Sequence, residues 1–349
     1  MGSTTGHRRR LPLAVTLGDP SGIGPELILR AWLSARARSD LPSFAAIADA
    51  RFLSKVARDL GFDVPVLRCA AAEAGAIFPR ALPVIDLGYP ILAEAGAPSV
   101  ANAPAVIASI KRAVELVREG RCAGVVTSPI AKYVLQAQGF PYPGHTEFLG
   151  ALTAELWGRP SMPVMLLWSR ELAVVPVTTH VPLAEVPRLL TTNLIVETGR
   201  IVARDLAKRF GIASPRLAVA GLNPHAGENG TLGSEDLSII APAIERLRAQ
   251  GIAASGPYPA DTLFHARARA GYDVVLAMYH DQALVPIKTL AFDEAVNVTL
   301  GLPFLRTSPD HGTAFDIAGK GVARPESFIA ALELAGRLTQ AERAAMLAH

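Results

Sequence analysis

The chain has 349 residues with a formal net charge of +3, and half of its residues are hydrophobic. Because single hydrophobic cores stop growing at roughly 250 to 300 residues, this length favours two domains. The basic run at residues 7–10 has no second basic run to support it, so nucleic acid is not expected as a partner. No stretch reaches the roughly 20 apolar residues of a membrane span, so no membrane association is expected either.

The two cysteines, Cys69 and Cys122, are far apart in the sequence and form no CxxC motif. A disulfide framework is therefore not expected, and the reducing cytoplasm is the expected location. No apolar segment typical of a signal peptide follows the basic run.

The first 127 residues alternate between strand-like and helix-like segments. Short apolar runs predict strands at residues 13–17, 44–47, 64–67, 83–87 and 123–127. The clearest helix is predicted over residues 105–118, where Val106, Ile110 and Val114 share one face. This alternation is typical of a doubly wound α/β layer.

The first predicted strand leads into a glycine-rich turn and then into a helix-like run at residues 27–33. Glycines permit a tight backbone in the turn, and the proline and glutamate that follow suit the first turn of a helix. The spacing of Gly18, Gly22 and Gly24 does not match the GxGxxG fingerprint, so a Rossmann cofactor site is not supported. A purely structural turn is the alternative.

A loop-to-helix junction at PGHTEFLG, residues 143–150, carries His145 and Thr146. Free N–H groups and a hydroxyl at such a junction can hold an anion. The alternative is that Thr146 caps the helix and His145 has no role.

Three histidines follow apolar, strand-like runs. His180 follows residues 164–168 and 172–177, which are predicted to form a hairpin or two adjacent strands. His225 follows residues 217–220, and His280 follows residues 272–279. Loops at the carboxyl ends of parallel strands converge on one crevice. Because imidazole is a common ligand of divalent metals, we predict a catalytic metal site, with ordinary strand-end histidines as the alternative.

Further polar side chains surround His280 in the sequence. Lys288, Asn297 and Arg306 are predicted to hold an anionic group such as a phosphate or carboxylate. The sequence DHGTA at residues 310–314 opens a glycine-edged loop that is able to approach a nucleotide closely.

Two carboxylates, Asp261 and Asp281, are predicted to orient the ligating imidazoles or to transfer a proton. A helix cap for Asp261 and a simple turn acid for Asp281 are the alternatives. His265 lies in a helix-like run at residues 263–267 and is expected on the surface.

Several motifs, in order, resemble the 4-hydroxythreonine-4-phosphate dehydrogenase family of pyridoxal phosphate biosynthesis. They are GDPSGIGPEL (residues 18–27), PGHTEFLG (143–150), TTH (178–180), LNPHAGE (222–228), PADTLF (259–264), MYHDQ (278–282) and NVTLGLPFLRTSPDHGTAFDIAGKG (297–321). The first and last are also similar to stretches of isocitrate and isopropylmalate dehydrogenases, which lack the Rossmann fingerprint.

The resemblance implies two α/β/α domains with an isocitrate/isopropylmalate dehydrogenase-like fold and an active site in the interdomain cleft at a dimer interface. One domain would be discontinuous, formed by residues 1–127 and 300–349, and would carry the glycine-rich turn and the NAD loop. The other, residues 128–299, would carry the metal histidines and the dimer interface.

The resemblance also implies the site residues. His180, His225 and His280 would bind one divalent ion (Zn, Mg, Co, Mn or Ni), the first two from one subunit of a homodimer and the third from its partner. Substrate contacts are implied for His145, Thr146, Lys288, Asn297 and Arg306. The cofactor would be NAD or NADP, with its adenosine half against Asp310, His311, Gly312, Thr313 and Ala314.

The implied reaction is oxidation of the secondary alcohol of 4-phosphooxy-L-threonine by NAD, followed by decarboxylation to 3-amino-2-oxopropyl phosphate. Related substrates stay open, namely a phosphorylated D-threonate or D-erythronate and an aromatic dihydrodiol. A metal-dependent phosphohydrolase and a non-enzymatic phosphometabolite-binding protein are alternatives of other classes.

Overall fold

The computed structural model describes residues 11–38 and 40–347, so the basic run at residues 7–10 lies outside the described residues. The chain divides into two compact units, residues 1–159 with 304–337 and residues 160–303 with 338–349. The first unit extends to residue 159, whereas the sequence placed this boundary at residue 127. No helix within the described ranges is long and apolar enough to cross a membrane.

The strands are short and lie mostly where apolar runs predicted them. They are β1 (Leu13–Thr16), β2 (Phe44–Ala48), β3 (Val66–Arg68), β4 (Leu82–Asp86), β5 (Val125–Val126), β6 (Val164–Trp168), β7 (Ala173–Pro176), β8 (Arg216–Ala220), β9 (Ala253–Tyr258), β10 (Val274–Ala277), β11 (Val296–Leu300) and β12 (Arg306–Pro309). The predicted strand at residues 272–279 is shorter than expected, because the chain leaves the sheet at Met278.

The α-helices alternate with these strands through most of the chain. They are α1 (Gly24–Ala37), α2 (Ala50–Asp59), α3 (Ala74–Ile77), α4 (Ala103–Arg118), α5 (Lys132–Gln136), α6 (His145–Trp157), α7 (Val186–Leu189), α8 (Thr192–Phe210), α9 (Ala241–Ala249), α10 (Ala266–Arg269), α11 (His280–Ala291) and α12 (Glu326–Leu347). His265 precedes α10 as its N-cap, where its Nδ1 accepts a hydrogen bond from the N–H of Ala268 at 3.3 Å, and it is exposed as expected.

The strands of the first unit follow the order β3-β4-β2-β1-β5-β12, and each pair in this order is parallel. Every residue of β1 and β2 is buried. Their continuous apolar sequences fit strands that are covered on both faces, as in α/β proteins. The predicted α/β layer is therefore confirmed for this unit.

The strands of the second unit follow the order β11-β6-β7-β10-β8-β9. The strands β7, β10, β8 and β9 are parallel, whereas β6 runs antiparallel to both β7 and β11. The predicted hairpin of β6 and β7 is therefore confirmed. The central strands β7, β10 and β8 are adjacent, and this adjacency decides which loops lie side by side.

Candidate metal centre and anion-binding site

Three adjacent parallel strands of the second unit, β7, β10 and β8, lead into loops that carry predicted metal ligands. His180 lies a few residues beyond β7, His280 beyond β10 and His225 beyond β8. The prediction that each histidine follows a strand is confirmed. Because the strands are parallel and adjacent, the three loops leave the sheet at the same edge.

His180 and His280 form a close pair within one chain. Their ring centroids lie 5.5 Å apart, and the ring planes are inclined at 44°. Two imidazoles that bind one ion through bonds of about 2.1 Å place their centroids roughly 5 Å apart, so this pair fits a shared divalent ion. Within residues 11–38 and 40–347, no group of three or more His, Cys, Asp or Glu side chains could hold a metal, so His225 of the same chain does not complete the set.

The backbone that carries His225 is strained. The φ angles are 53° at His225, 52° at Ala226, 77° at Gly227, 40° at Glu228 and 56° at Asn229, so the chain makes a left-handed turn. For a residue other than glycine this conformation costs roughly 1–2 kcal/mol. The surrounding structure must therefore hold the turn in place.

A buried carboxylate holds the entry to this turn. Asp236 is fully buried and accepts hydrogen bonds from the N–H groups of Leu222 at 2.9 Å and Asn223 at 3.2 Å. The side-chain amide of Asn223 also donates to Asp236 at 3.0 Å and to Glu235 at 2.8 Å. Asp236 thus fixes the residues that immediately precede the strained segment.

Left-handed backbone is concentrated in predicted functional segments. In the described ranges, the non-glycine residues with positive φ are His180, His225, Ala226, Glu228, Asn229 and Ala314. Each is a predicted ligand, lies in the turn that carries one, or belongs to the predicted cofactor loop. Strain of roughly 1–3 kcal/mol per residue tends to persist at functional sites, so this distribution supports those predictions.

The two predicted carboxylates have different surroundings. Nδ1 of His280 lies 2.8 Å from Oδ1 of Asp281, which leaves Nε2 of the ring to face a ligand. Asp261 is exposed inside a 3-10 turn, Ala260–Thr262, that contacts the turn carrying His225. Because the residue preceding this turn is Pro259, Asp261 is not a cap, and that alternative is wrong.

Two further predicted substrate residues lie in the second unit. Lys288 is on α11, where its Nζ lies 5.0 Å from the ring centroid of Phe292. Asn297 is half-buried on β11, opposite Leu167 of β6. Because α11 also begins with His280, one helix carries both a predicted metal ligand and a predicted anion contact.

In the first unit, Arg306 begins β12 and is only 4% exposed. Its Nε and Nη2 both donate to Oγ1 of Thr127, at 3.0 and 2.6 Å. Burial lowers the pKa of Arg306 to about 10, so the guanidinium stays charged at neutral pH. A buried, charged set of N–H donors suits a phosphate or a carboxylate.

His145 begins α6 in the same unit as Arg306. Burial lowers the pKa of His145 well below its ordinary value, and the positive charges of Arg306 and Lys132 lower it further. The residue before the helix is Gly144, which provides no side-chain cap, so the alternative of Thr146 as the cap is wrong. An uncapped helix start beside these two cations is suited to an anion.

The predicted cofactor loop packs against the glycine-rich turn of the first unit. The N–H of Ile23 donates to the carbonyl of Thr313 at 2.9 Å. A Cβ added to Gly22 would lie 2.8 Å from that carbonyl oxygen, so only glycine allows this approach. The structure therefore brings together the two motifs that resemble isocitrate and isopropylmalate dehydrogenases.

Some residues around these sites were not predicted from the sequence. Lys132 and Thr127 flank the end of β5, and Asp236 and Gln282 support the loops of the metal histidines. Gln282 stands in the MYHDQ motif, but its sequence position alone does not reveal its hydrogen-bond partners. Asp236 lies in no motif, and only its burial in the structure identifies it as a supporting residue.

Comparisons with known proteins cover nearly the whole chain. A family model described as pyridoxal phosphate biosynthetic protein PdxA matches residues 40–335. A 4-hydroxythreonine-4-phosphate dehydrogenase from Methylorubrum populi is 61% identical over 331 residues, which cover 94% of this chain and 95% of that protein.

Solved structures agree with this match. The crystal structure of 4-hydroxythreonine-4-phosphate dehydrogenase from Klebsiella pneumoniae is 38% identical with a TM-score of 0.84, covering 95% of this chain and 100% of that one. A terephthalate 1,2-cis-dihydrodiol dehydrogenase from Burkholderia xenovorans is 28% identical with a TM-score of 0.64, covering 94% and 98%. Sequence and fold are thus shared along almost the full length.

Proposed function

The chain belongs to the PdxA family of pyridoxal phosphate biosynthetic proteins, and on this premise we propose that it oxidises 4-phosphooxy-L-threonine with NAD and then decarboxylates the product to 3-amino-2-oxopropyl phosphate. It is an oxidoreductase that acts on a CH–OH group, as the sequence predicted. The hydrolase and binding-protein alternatives are set aside, because the relatives are dehydrogenases.

One structural observation carries the metal-dependent part of the proposal. The rings of His180 and His280 lie 5.5 Å apart, and Asp281 contacts Nδ1 of His280. A carboxylate on one ring nitrogen fixes the tautomer and turns the other nitrogen outward, which is how ligating histidines are commonly held. With His225 of the partner subunit as the third donor, these imidazoles would hold one divalent ion with positions open for substrate.

When bound, the divalent ion would polarise the alcohol and carbonyl oxygens of the substrate, and NAD would accept the hydride. The residues of the chain place the reactants. Asp281 orients His280, and Asp261, exposed beside the turn of His225, is the proposed proton-transfer group. The loop formed by Asp310, His311, Gly312, Thr313 and Ala314 would contact the adenosine half of NAD, as its isocitrate dehydrogenase-like sequence suggests.

Suitable partners for the phosphate of the substrate lie in the first unit. Arg306 presents a buried charged guanidinium, and His145 begins an uncapped helix near Arg306 and Lys132. Because the pKa of His145 is depressed, its ring binds as a neutral hydrogen-bonding group beside the two cations. Thr146, Lys288 and Asn297 complete the proposed substrate contacts. A buried arginine favours an anionic substrate, with a phosphate or a carboxylate, over an uncharged dihydrodiol.

We propose that the enzyme is a cytoplasmic homodimer with shared sites. Large apolar side chains are exposed along the elements that follow the histidines, including Leu183 at 68%, Leu237 at 53% and Phe292 at 70%. Exposed apolar groups of this size are suited to a subunit interface. Since His180 and His280 approach each other in one chain, we assign these two to one subunit and His225 to its partner, which differs from the division that the resemblance implied.

The test is NADH formation with 4-phosphooxy-L-threonine, compared with 4-phospho-D-threonate and 4-phospho-D-erythronate, each with chelator and with added divalent metal. Metal-dependent turnover of the L-threonine derivative in clear preference to the others is the expected result. A preference for either sugar acid would retain the fold and the mechanism but change the substrate. Full turnover in chelator would contradict the metal site.

A further inference from the structure

Gln282 occupies the first turn of α11, two residues after His280, and only 9% of it is exposed. Its Oε1 accepts a hydrogen bond from the N–H of Met278 at 2.6 Å. A glutamine at the third position of a helix commonly reaches back in this way to satisfy a free N–H group. This contact alone would make Gln282 an ordinary helix cap.

The other end of the same amide makes a second, non-local contact. Nε2 of Gln282 donates to the carbonyl of Gly221 at 2.8 Å. Gly221 directly follows β8 and begins the segment that leads to His225. The side chain of Gln282 therefore joins the loop of His280 to the loop of His225.

Gly221 is hydrogen-bonded at both its N–H and its carbonyl, and it is closely packed at its Cα. Its N–H donates to the carbonyl of Tyr258 at 2.8 Å, and its carbonyl accepts from Gln282. A Cβ on Gly221 would lie 2.7 Å from Oδ1 of Asp236 and 2.8 Å from Cα of Ala226. A shift of Gly221 would therefore also move Ala226 and the rest of the left-handed turn that carries His225.

The loop that carries His180 is hydrogen-bonded to Met278, the residue that also bonds to Gln282. The hydroxyl of Thr178, a buried residue two positions before His180, donates to the carbonyl of Met278 at 2.7 Å. Met278 thus receives Thr178 at its carbonyl and offers its N–H to Gln282. A continuous buried chain of hydrogen bonds, Thr178 to Met278 to Gln282 to Gly221, connects all three histidine-bearing loops.

We propose that Gln282 is a positioning residue for the two predicted metal centres of the dimer. Its amide holds the loop of His280, which serves the centre of its own subunit, against the loop of His225, which serves the centre of the partner. The inference rests on the proposed metal function. It assigns to Gln282 a role that requires both its acceptor and its donor. A helix cap would require the acceptor alone.

Two variants separate these roles. Gln282→Glu keeps the oxygen that caps Met278, but at neutral pH it has no N–H for the carbonyl of Gly221. Gln282→Met fills a similar volume and loses both contacts. The matched control is Gln250→Met, because Gln250 is an exposed glutamine at the end of α9.

The measurements are the affinity for Co²⁺, the visible spectrum of the Co²⁺ form and the melting temperature of the metal-free protein. Outer partners of metal ligands are typically worth about 10- to 100-fold in metal affinity. We expect Gln282→Glu to lose affinity within this range and to alter the Co²⁺ spectrum. Its metal-free melting temperature should fall below that of the Gln250→Met control, because a buried carboxylate then faces the carbonyl of Gly221. Gln282→Met is expected to bind at least as weakly as Gln282→Glu.

Wild-type affinity and spectrum in Gln282→Glu would overturn the positioning role and leave the metal site standing. If Gln282→Glu does not fold, wild-type Co²⁺ affinity and spectrum in Gln282→Met would overturn the positioning role in the same way. Failure of the proposed function has a different signature, because wild-type protein would then bind no Co²⁺, or His280→Ala would bind it as tightly as wild type. Either of those results would overturn both proposals.

Discussion

His180 and His280 face each other across the carboxyl ends of two adjacent parallel strands, with ring centroids 5.5 Å apart. They are distant in the sequence, and only the pairing of β7 with β10 brings them together. The backbone at His180 is left-handed, with a φ of 52°. The relationship between these two rings is therefore maintained against a local conformational cost, as expected of a functional pair.

Replacing His280 with alanine should abolish metal-dependent turnover. The loss should exceed the roughly 100-fold that removal of an outer-sphere partner costs, because a ligand itself is removed. The His265→Ala variant is the control, since His265 is exposed and only caps α10. NADH formation and circular dichroism would be measured for both variants. A folded His280→Ala enzyme with normal activity would contradict the site.

Hybrid dimers test which subunit provides each ligand. Mixing His225→Ala with His280→Ala subunits should restore part of the activity, because one site of each hybrid then keeps all three histidines. Mixing His180→Ala with His280→Ala should restore none, since these two residues come from the same chain in our assignment. Recovery in the second mixture, with subunit exchange demonstrated by mass spectrometry, would favour the division in which His180 and His280 come from different subunits.

The Arg306→Lys variant should bind the phosphorylated substrate less tightly. Lysine keeps the charge but loses the two-pronged donor geometry, and a hydrogen bond to a charged group is worth about 1.5–3 kcal/mol, or roughly 10- to 150-fold in affinity. The exposed Arg200→Lys substitution is the control. The measurement is KM for the substrate, which should rise in Arg306→Lys alone. An unchanged KM in Arg306→Lys would show that Arg306 does not bind the phosphate of the substrate.

His145 should make stability depend on pH. Its folded pKa is depressed, so below the unfolded value of about 6.5 the unfolded chain binds a proton that the folded chain does not. The free energy of unfolding should therefore decrease by up to about 1.4 kcal/mol per pH unit as the pH falls below this value. Above this value, His145 should not make the free energy of unfolding depend on pH. His145→Gln should lack this contribution. The test is urea unfolding of wild type and His145→Gln at about pH 7.5 and about pH 5.5. An equal decrease in the free energy of unfolding of both proteins between these pH values would contradict the prediction.

The Gly22→Ala variant should disturb the predicted cofactor loop. The added methyl group would lie 2.8 Å from the carbonyl oxygen of Thr313 and 3.1 Å from its Cβ, closer than normal contact. Because the obstacle includes backbone, the loop must move, and KM for NAD should rise by about tenfold or more, equivalent to about 1.4 kcal/mol. Initial rates at varied NAD concentration and at varied substrate concentration give the two KM values separately. A change in KM for the substrate alone would contradict the loop assignment.

The sequence by itself determined most of the local structure. Short apolar runs located β1, β2, β4 and β8, because a strand that is covered on both faces usually has a continuous apolar sequence. The same patterns failed for β12, whose sequence Arg-Thr-Ser-Pro is polar yet fully buried. There the polar groups are satisfied by distant partners, such as the carbonyl of Ala331 for the hydroxyl of Thr307 at 2.9 Å. A hydropathy pattern carries no information about such partners.

The motifs also identified the three histidines and the anion-binding residues as candidates, since residue type and order reflect chemistry directly. Only the tertiary structure decided that β7, β10 and β8 are neighbours, that His180 meets His280, and that Gln282 joins two loops. The physical reason is that periodicity and propensity act over one turn or one strand. Strand order, left-handed backbone and buried hydrogen bonds depend instead on contacts between residues far apart in the chain.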